Sequence, residues 1–216
     1  MERFCVVFSN NGFIGLPLAE AIFGMTSPIL AHIVVINVIN NILLMVLGPY
    51  MFTGDKSTIS FKGIVKSPVL IAFVIAIVIN LIGIKEVTGE VFYYSNFLKN
   101  MVTPLSMTIL GMKFAELKIL SLFTCKKLYY IAFIKLIVCP VLTVGILLII
   151  NIFTPISIAL IFTIFIGFGT STASLTTSLA DKHKVGEKEA SIYVLGTTLF
   201  SVITLPILYA LLCLII

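Results

Sequence analysis

Apolar residues fill long stretches of this chain, and short polar clusters divide them into seven segments that approach or exceed the ~20 residues needed to cross a hydrocarbon core. The segments run from about Phe4 to Gly24, Ile29 to Phe52, Pro68 to Ile84, Tyr93 to Ala115, Leu128 to Ile150, Pro155 to Ala180 and Ser191 to Ile215. Each is predicted to be an α-helix, because an open strand edge leaves backbone groups that lipid cannot satisfy. The fourth is the most amphipathic. Two segments break the pattern. The first carries NNGFIGLP, Asn10 to Pro17, and the sixth carries GFGTSTASLTTS, Gly167 to Ser178.

Composition makes the membrane class firm. Of 216 residues, 60% are hydrophobic and 11% charged, with a mean hydropathy of +1.21. A water-soluble fold of this size needs more polar surface than 14 Lys+Arg and 9 Asp+Glu supply. The net charge of +5 does not indicate nucleic acid, because the basic residues fall in short loops between spans. Arg3, Lys56, Lys62, Lys66, Lys113, Lys118, Lys126, Lys127, Lys182, Lys184 and Lys188 belong to one face, against Lys85 and Lys99 on the other. That asymmetry predicts a cytoplasmic N-terminus and an external C-terminus. The cysteines, Cys5, Cys125, Cys139 and Cys213, have neither metal-site nor redox spacing and read as small apolar residues. No metal or cofactor is expected. MERFCVVFSNNG lacks a basic leader and a small-residue cleavage site, so no removable signal peptide is expected.

The two interrupted spans are related. Each is followed by a short turn and a polar-flecked helix ending near a proline, Pro49 in one case and Pro206 in the other. From the lysine asymmetry they enter the membrane from opposite sides, the pattern of an inverted-repeat secondary transporter. Pro17 removes a backbone donor and displaces its preceding turn, while Gly12 and Gly15 permit unwinding, so the break in the first span is expected there. Broken backbone at membrane depth survives only where protein or a water-lined cavity surrounds it. Two broken helices crossing near the midplane would place half-helix ends at an anion. Gly and Pro also serve ordinary close helix packing, and either segment alone is equally well explained that way.

Several side chains are candidates for the site. Asn10 and Asn11, expected just before the break, can donate to a carboxylate or accept from a protonated group; the alternative is helix–helix hydrogen bonding. Thr170, Ser171, Thr172 and Ser174 would supply hydroxyls from the opposite side, or bond back to their own helix. Asn37, Asn40 and Asn41 share a stripe of the second span that should face protein or water. Lys135, about two turns into the fifth span, either snorkels to the interface or approaches the crossing to draw anions or relay protons. Glu20 and His32 are expected at the outer interface, solvated.

FSNNGFIGLPLAEAIFG, Phe8 to Gly24, resembles the signature of the auxin efflux carrier family, which includes malate permease-like proteins. Supporting matches are LKNMVTPLSMTILGMKFAE (Leu98 to Glu116), FIKLIVCP (Phe133 to Pro140) and LGTTLFSVITLPIL (Leu195 to Leu208). The resemblance covers essentially the whole chain. It implies a fold of inverted repeats similar to sodium–proton antiporters and bile-acid symporters, in which two broken helices cross and a scaffold mediates dimerisation. On that pattern the chain lacks the first three helices: residues 1–52 are a two-helix remnant of the first repeat and 68–216 a complete second one, within one membrane domain. The second crossing helix commonly has a proline in this family; GFGTSTASLTTS has none, so either glycines and hydroxyls open it or it is only weakly broken.

The expected fold class is therefore all-α and integral to the membrane, with seven transmembrane helices in a partial inverted-repeat transporter fold. The expected function is a secondary transporter or permease of a small organic anion, such as malate or a related carboxylate. Its site would comprise Asn10, Asn11, Gly12, Pro17, Lys135, Thr170, Ser171, Thr172 and Ser174, with H+ or Na+ as the coupling ion. A truncated fragment without autonomous transport, needing the missing helices or a partner chain, is the alternative. No GxSxG, HExxH or paired-Asp motif appears, so an enzyme is not expected. Partners are the lipid bilayer, the organic anion and, from the resemblance, a second copy. Ile, Lys and Asn richness suggests a bacterial inner membrane.

Overall fold

The structure, a computed structural model, describes residues 1–24, 27–58, 67–83, 89–115 and 119–216. Lys62, Lys66, Lys85 and Lys118, which contribute to the expected orientation, lie outside the described residues, as do Ile84 and Glu116. Among the described residues every regular element is helical. They are α1 (Glu2–Val7), α2 (Leu16–Phe23), α3 (Pro28–Thr53), α4 (Pro68–Leu81), α5 (Gly89–Ala115), α6 (Ile119–Thr124), α7 (Lys126–Phe133), α8 (Cys139–Phe153), α9 (Ile158–Gly169), α10 (Leu175–His183) and α11 (Glu187–Ile215). Among the described residues three helical runs are long and apolar enough to cross a membrane: α3, the continuous run of α7 and α8 from Lys126 to Phe153, and α11. Asn11–Phe23, Pro68–Leu81 and Ile158–Gly169 are shorter apolar helices. The first and sixth expected spans are each cut in two by extended backbone.

Local chemistry sets the ends. Ser27 and Ser157 cap α3 and α9, accepting from the N–H groups of Ile29 and Leu160 at 3.3 Å each. Pro28 follows Ser27 in the first turn, where its missing N–H costs nothing. Gly54 ends α3 in the left-handed region, φ +75°.

Two prolines share a different device. A π-helical turn, Asn11–Gly15, stands directly ahead of α2 and Pro17, and another, Ile134–Val138, directly ahead of α8 and Pro140. Each turn ends two residues before its proline. A proline ring collides with the carbonyl four residues back, and a locally widened turn moves that carbonyl aside. Pro17 therefore sits inside continuous helix. The unwinding expected at Gly12 to Pro17 occurs earlier, at Phe8–Asn10.

The core has apolar ends and a polar middle. One cluster joins Ala19, Ile29, Ile33, Ile161, Phe165, Ile166 and Leu205 of α2, α3, α9 and α11. A second joins Phe4, Phe8, Leu44, Phe52, Ala173 and Ala180, and a third joins Cys5, Leu122, Leu128, Ile131 and Tyr193. Gly196 lets α11 approach α7: a Cβ there would lie 2.5 Å from both methyl carbons of Leu128. Outside this core, α4 packs on α3, and α5 meets the Asn11–Gly15 turn. No described residue of α4 is buried, and its Ile71, Val74, Ile75 and Val78 are exposed, as lipid-facing residues are.

Candidate functional site

Between the apolar clusters the two interrupted spans meet. Phe8 leaves α1 in extended conformation (φ −94°, ψ 130°), and Thr170 leaves α9 the same way (φ −71°, ψ 160°). The two segments run antiparallel, with Ser9 opposite Thr172. Asn10 N–H donates to the Ser171 carbonyl at 2.9 Å, and Ala173 N–H to the Phe8 carbonyl at 3.0 Å. Each break thus supplies the hydrogen bonds the other lacks, which makes two interruptions at membrane depth tolerable.

In such a pair, the N–H and C=O groups of Ser9 and Thr172 point away from each other and need partners elsewhere. The long helices provide them. Asn40 of α3 donates from Nδ2 to the Ser9 carbonyl at 3.1 Å. The Thr197 hydroxyl of α11 accepts from Thr172 N–H at 3.2 Å while donating to the Tyr193 carbonyl at 2.7 Å. Asn40 stands as far before Pro49 as Thr197 stands before Pro206. The two helices therefore serve the crossing from matching positions.

Side chains complete the polar layer. Thr172 Oγ1 donates to the Cys5 carbonyl at 2.9 Å, one of the carbonyls left free at the end of α1. Thr170 Oγ1 donates to Asn11 Oδ1 at 3.1 Å, and the Thr198 and Ser171 hydroxyls are 3.0 Å apart. Lys135, in the second π turn, is fully buried and donates from Nζ to Ser9 Oγ at 2.6 Å. Among the described residues the one ion pair is the surface contact Lys127–Glu2 at 2.7 Å, so Lys135 has no carboxylate partner there. Asn10 Nδ2 is buried with no hydrogen-bond partner among the described residues. The crossing thus presents a cation and an amide donor whose bonding capacity the described residues leave partly unfilled.

The expected residues divide accordingly. Asn10, Asn11, Thr170, Ser171 and Thr172 come together at the crossing, and Lys135 joins them through Ser9. Gly12 lies in the first π turn, where a Cβ would meet the Asn37 amide at 3.5 Å. Asn37 accepts from Asn41 Nδ2 at its carbonyl, 2.7 Å, and at Oδ1, 3.0 Å. Pro17 lies apart from the crossing, beside a cavity that also takes in Glu20, Lys99 and Thr103. Ser174 only begins α10, makes no side-chain cap, and is half-buried. Asn10 and Asn11 stand at and after the break rather than before it. Glu20 is half-buried and accepts from Thr103 Oγ1 at 3.3 Å, where a solvated carboxylate was expected. Reading the sequence alone misses Ser9, Thr197 and Thr198. The matching spacing of Asn40 and Thr197 to their prolines was the available signal for Thr197.

A sequence model of a protein family, described as Membrane transport protein, matches residues 56–209. The chain belongs to this family, the auxin efflux carrier and membrane transport family. The matched stretch takes in α4 to α10 and most of α11, hence Lys135, the Thr170–Ala173 segment and Thr197 of this membrane transport protein. The Ser9–Asn11 segment precedes it. No curated protein and no solved structure matches the chain. Membership places the membrane transport protein among transporters rather than enzymes, and its apolar helices agree with a membrane location.

Proposed function

We propose that the protein is a secondary transporter of a small organic anion, malate or a related carboxylate, working by alternating access at the crossing of Phe8–Asn11 with Thr170–Ala173. The observation that carries this reading is Lys135. A charged side chain at membrane depth costs several kcal/mol unless paired, on the order of 2.5–3.5 on insertion scales. Here the ammonium has the Ser9 hydroxyl beside it and no carboxylate among the described residues. A substrate carboxylate supplies the missing charge, and the unpartnered Asn10 amide supplies a second donor to it. Family membership supports transport as the activity.

In this reading the inverted repeats, 1–52 and 68–216, form a fold similar to sodium–proton antiporters and bile-acid symporters. The crossing domain moves against a panel of α4 and α5, which also joins two copies. H+ or Na+ drives the cycle. The lysine-rich face lies in the cytoplasm of a bacterial inner membrane, with the N-terminus inside and the C-terminus outside. A second reading, in which transport needs a partner chain to complete the panel, draws on the absence of buried residues along α4. Uptake and binding of labelled malate and related carboxylates by the purified chain in proteoliposomes test both. Saturable uptake abolished by Lys135→Met supports the first reading, and Lys135-dependent binding without uptake supports the second. Neither binding nor uptake of any carboxylate refutes both.

A further inference from the structure

A further cavity, walled mainly by apolar surface but carrying Ser178, Lys182 and His183, lies away from the crossing. It has a volume of about 430 Å³ and opens between the second half of α3 and α10, with Leu44, Pro49, Thr58, Ser178, Lys182 and His183 in its wall. Its inner end reaches Leu175, which directly follows the Thr170–Ser174 segment; its outer end lies on the lysine-rich face. Ser178 and Lys182 are four residues apart on α10 and so share a side of that helix. No carboxylate lines the cavity among the described residues. Asp55, close to Thr58 in sequence, is instead engaged by Ser57, which donates through its N–H at 2.9 Å and its hydroxyl at 2.6 Å. Those two donors hold the Asp55 carboxyl below its ordinary range.

Two groups in this cavity lack partners among the described residues. Lys182 forms no ion pair with a described residue. His183 Nε2 is buried with no hydrogen-bond partner among the described residues. Basic residues in the last turn of a helix are partly explained by the dipole, which favours cations there. The dipole gives no reason to bury an imidazole nitrogen without a partner in the wall of a cavity, because such a group loses its hydration for nothing.

We propose that this cavity is a separate binding site for a small carboxylate anion, held by the Lys182 ammonium, His183 Nε2 and the Ser178 hydroxyl. Lys135 does not line this cavity, so an anion here is held without it. Its purpose rests on the transport reading: the site gathers substrate at the lysine-rich mouth before it enters the crossing. Its binding does not rest on that reading.

The test is a malate titration of the detergent-purified chain at constant ionic strength, followed by the ring nitrogen resonances of its histidines. There are only two, so His32 serves as the internal control. The proposal expects malate to move the His183 resonances, with His32 still, in both the wild type and Lys135→Met. Lys182→Gln should raise the half-saturating concentration about tenfold, the loss of one charge-assisted contact, and Lys182→Arg should restore it largely. A His183 signal unmoved throughout the titration overturns the proposal. So does movement shared by His32, lost in Lys135→Met, or indifferent to Lys182→Gln. Failure of transport shows instead as absent uptake with the His183 response intact.

Discussion

Replacing Lys135 with methionine separates two roles that a buried lysine can play. If the ammonium is there to receive an anion, the empty protein carries an incompletely compensated charge. That charge costs on the order of 2.5–3.5 kcal/mol at membrane depth. The single contact to Ser9 Oγ at 2.6 Å returns part of it, since a hydrogen bond to a charged group contributes about 1.5–3 kcal/mol. Methionine has similar length and no charge, so the empty protein should keep its stability or gain about 1–2 kcal/mol. Anion binding should fall steeply. Removing one partner of a buried charge pair costs about 2–5 kcal/mol, roughly thirtyfold to a few thousandfold in Kd. Labelled-malate binding measures the second effect. Thermal unfolding followed by far-ultraviolet circular dichroism measures the first, and suits a chain with no tryptophan. A clear fall in Tm would show that Lys135 is a structural pin for the crossing. Malate binding within about twofold of wild type would remove it from the site.

Four further substitutions probe the same architecture. Asn10→Leu removes a buried Nδ2 with no partner among the described residues, so the Tm should hold while malate binding weakens by one hydrogen bond, about threefold to tenfold. Thr197→Val takes the acceptor from Thr172 N–H and should lower unfolding stability by about 1–3 kcal/mol in denaturant titrations. Gly196→Ala drives a methyl against the fully buried Leu128 and should cost about 1–3 kcal/mol. Gly145→Ala meets nothing within 4 Å and should be neutral, or stabilising by up to about 1 kcal/mol.

The helical class and the existence of two interrupted spans were legible because lipid restricts the backbone so strongly that composition and Gly/Pro punctuation carry the information. The site of the first break was not. Pro17 is the obvious helix breaker, yet a π turn accommodates it, and nothing in the residues alone reveals that the following helix survives. The break falls instead at Phe8–Asn10, because only there can the backbone pair with Thr170–Ala173, a contact between residues far apart in sequence. Lys135 was ambiguous for a related reason. Its depth could be read from the sequence, but whether it turned toward the interface or the interior depended on where Ser9 came to lie. The pairing of Asn40 with Thr197 was present in the spacing to Pro49 and Pro206, and becomes meaningful once their two backbone partners are seen to face each other.

The meeting of the two extended segments is open to one direct measurement. Residues directly opposed without mutual hydrogen bonds in an antiparallel pair have Cα atoms about 4.5 Å apart, within the span of a disulfide. Ser9→Cys combined with Thr172→Cys, oxidised mildly in membranes and mapped by proteolysis and mass spectrometry, should therefore yield an intrachain bond between the introduced thiols in most molecules. Recovery of both thiols in alkylatable form after oxidation would mean that the segments do not meet, and the crossing would have to be abandoned.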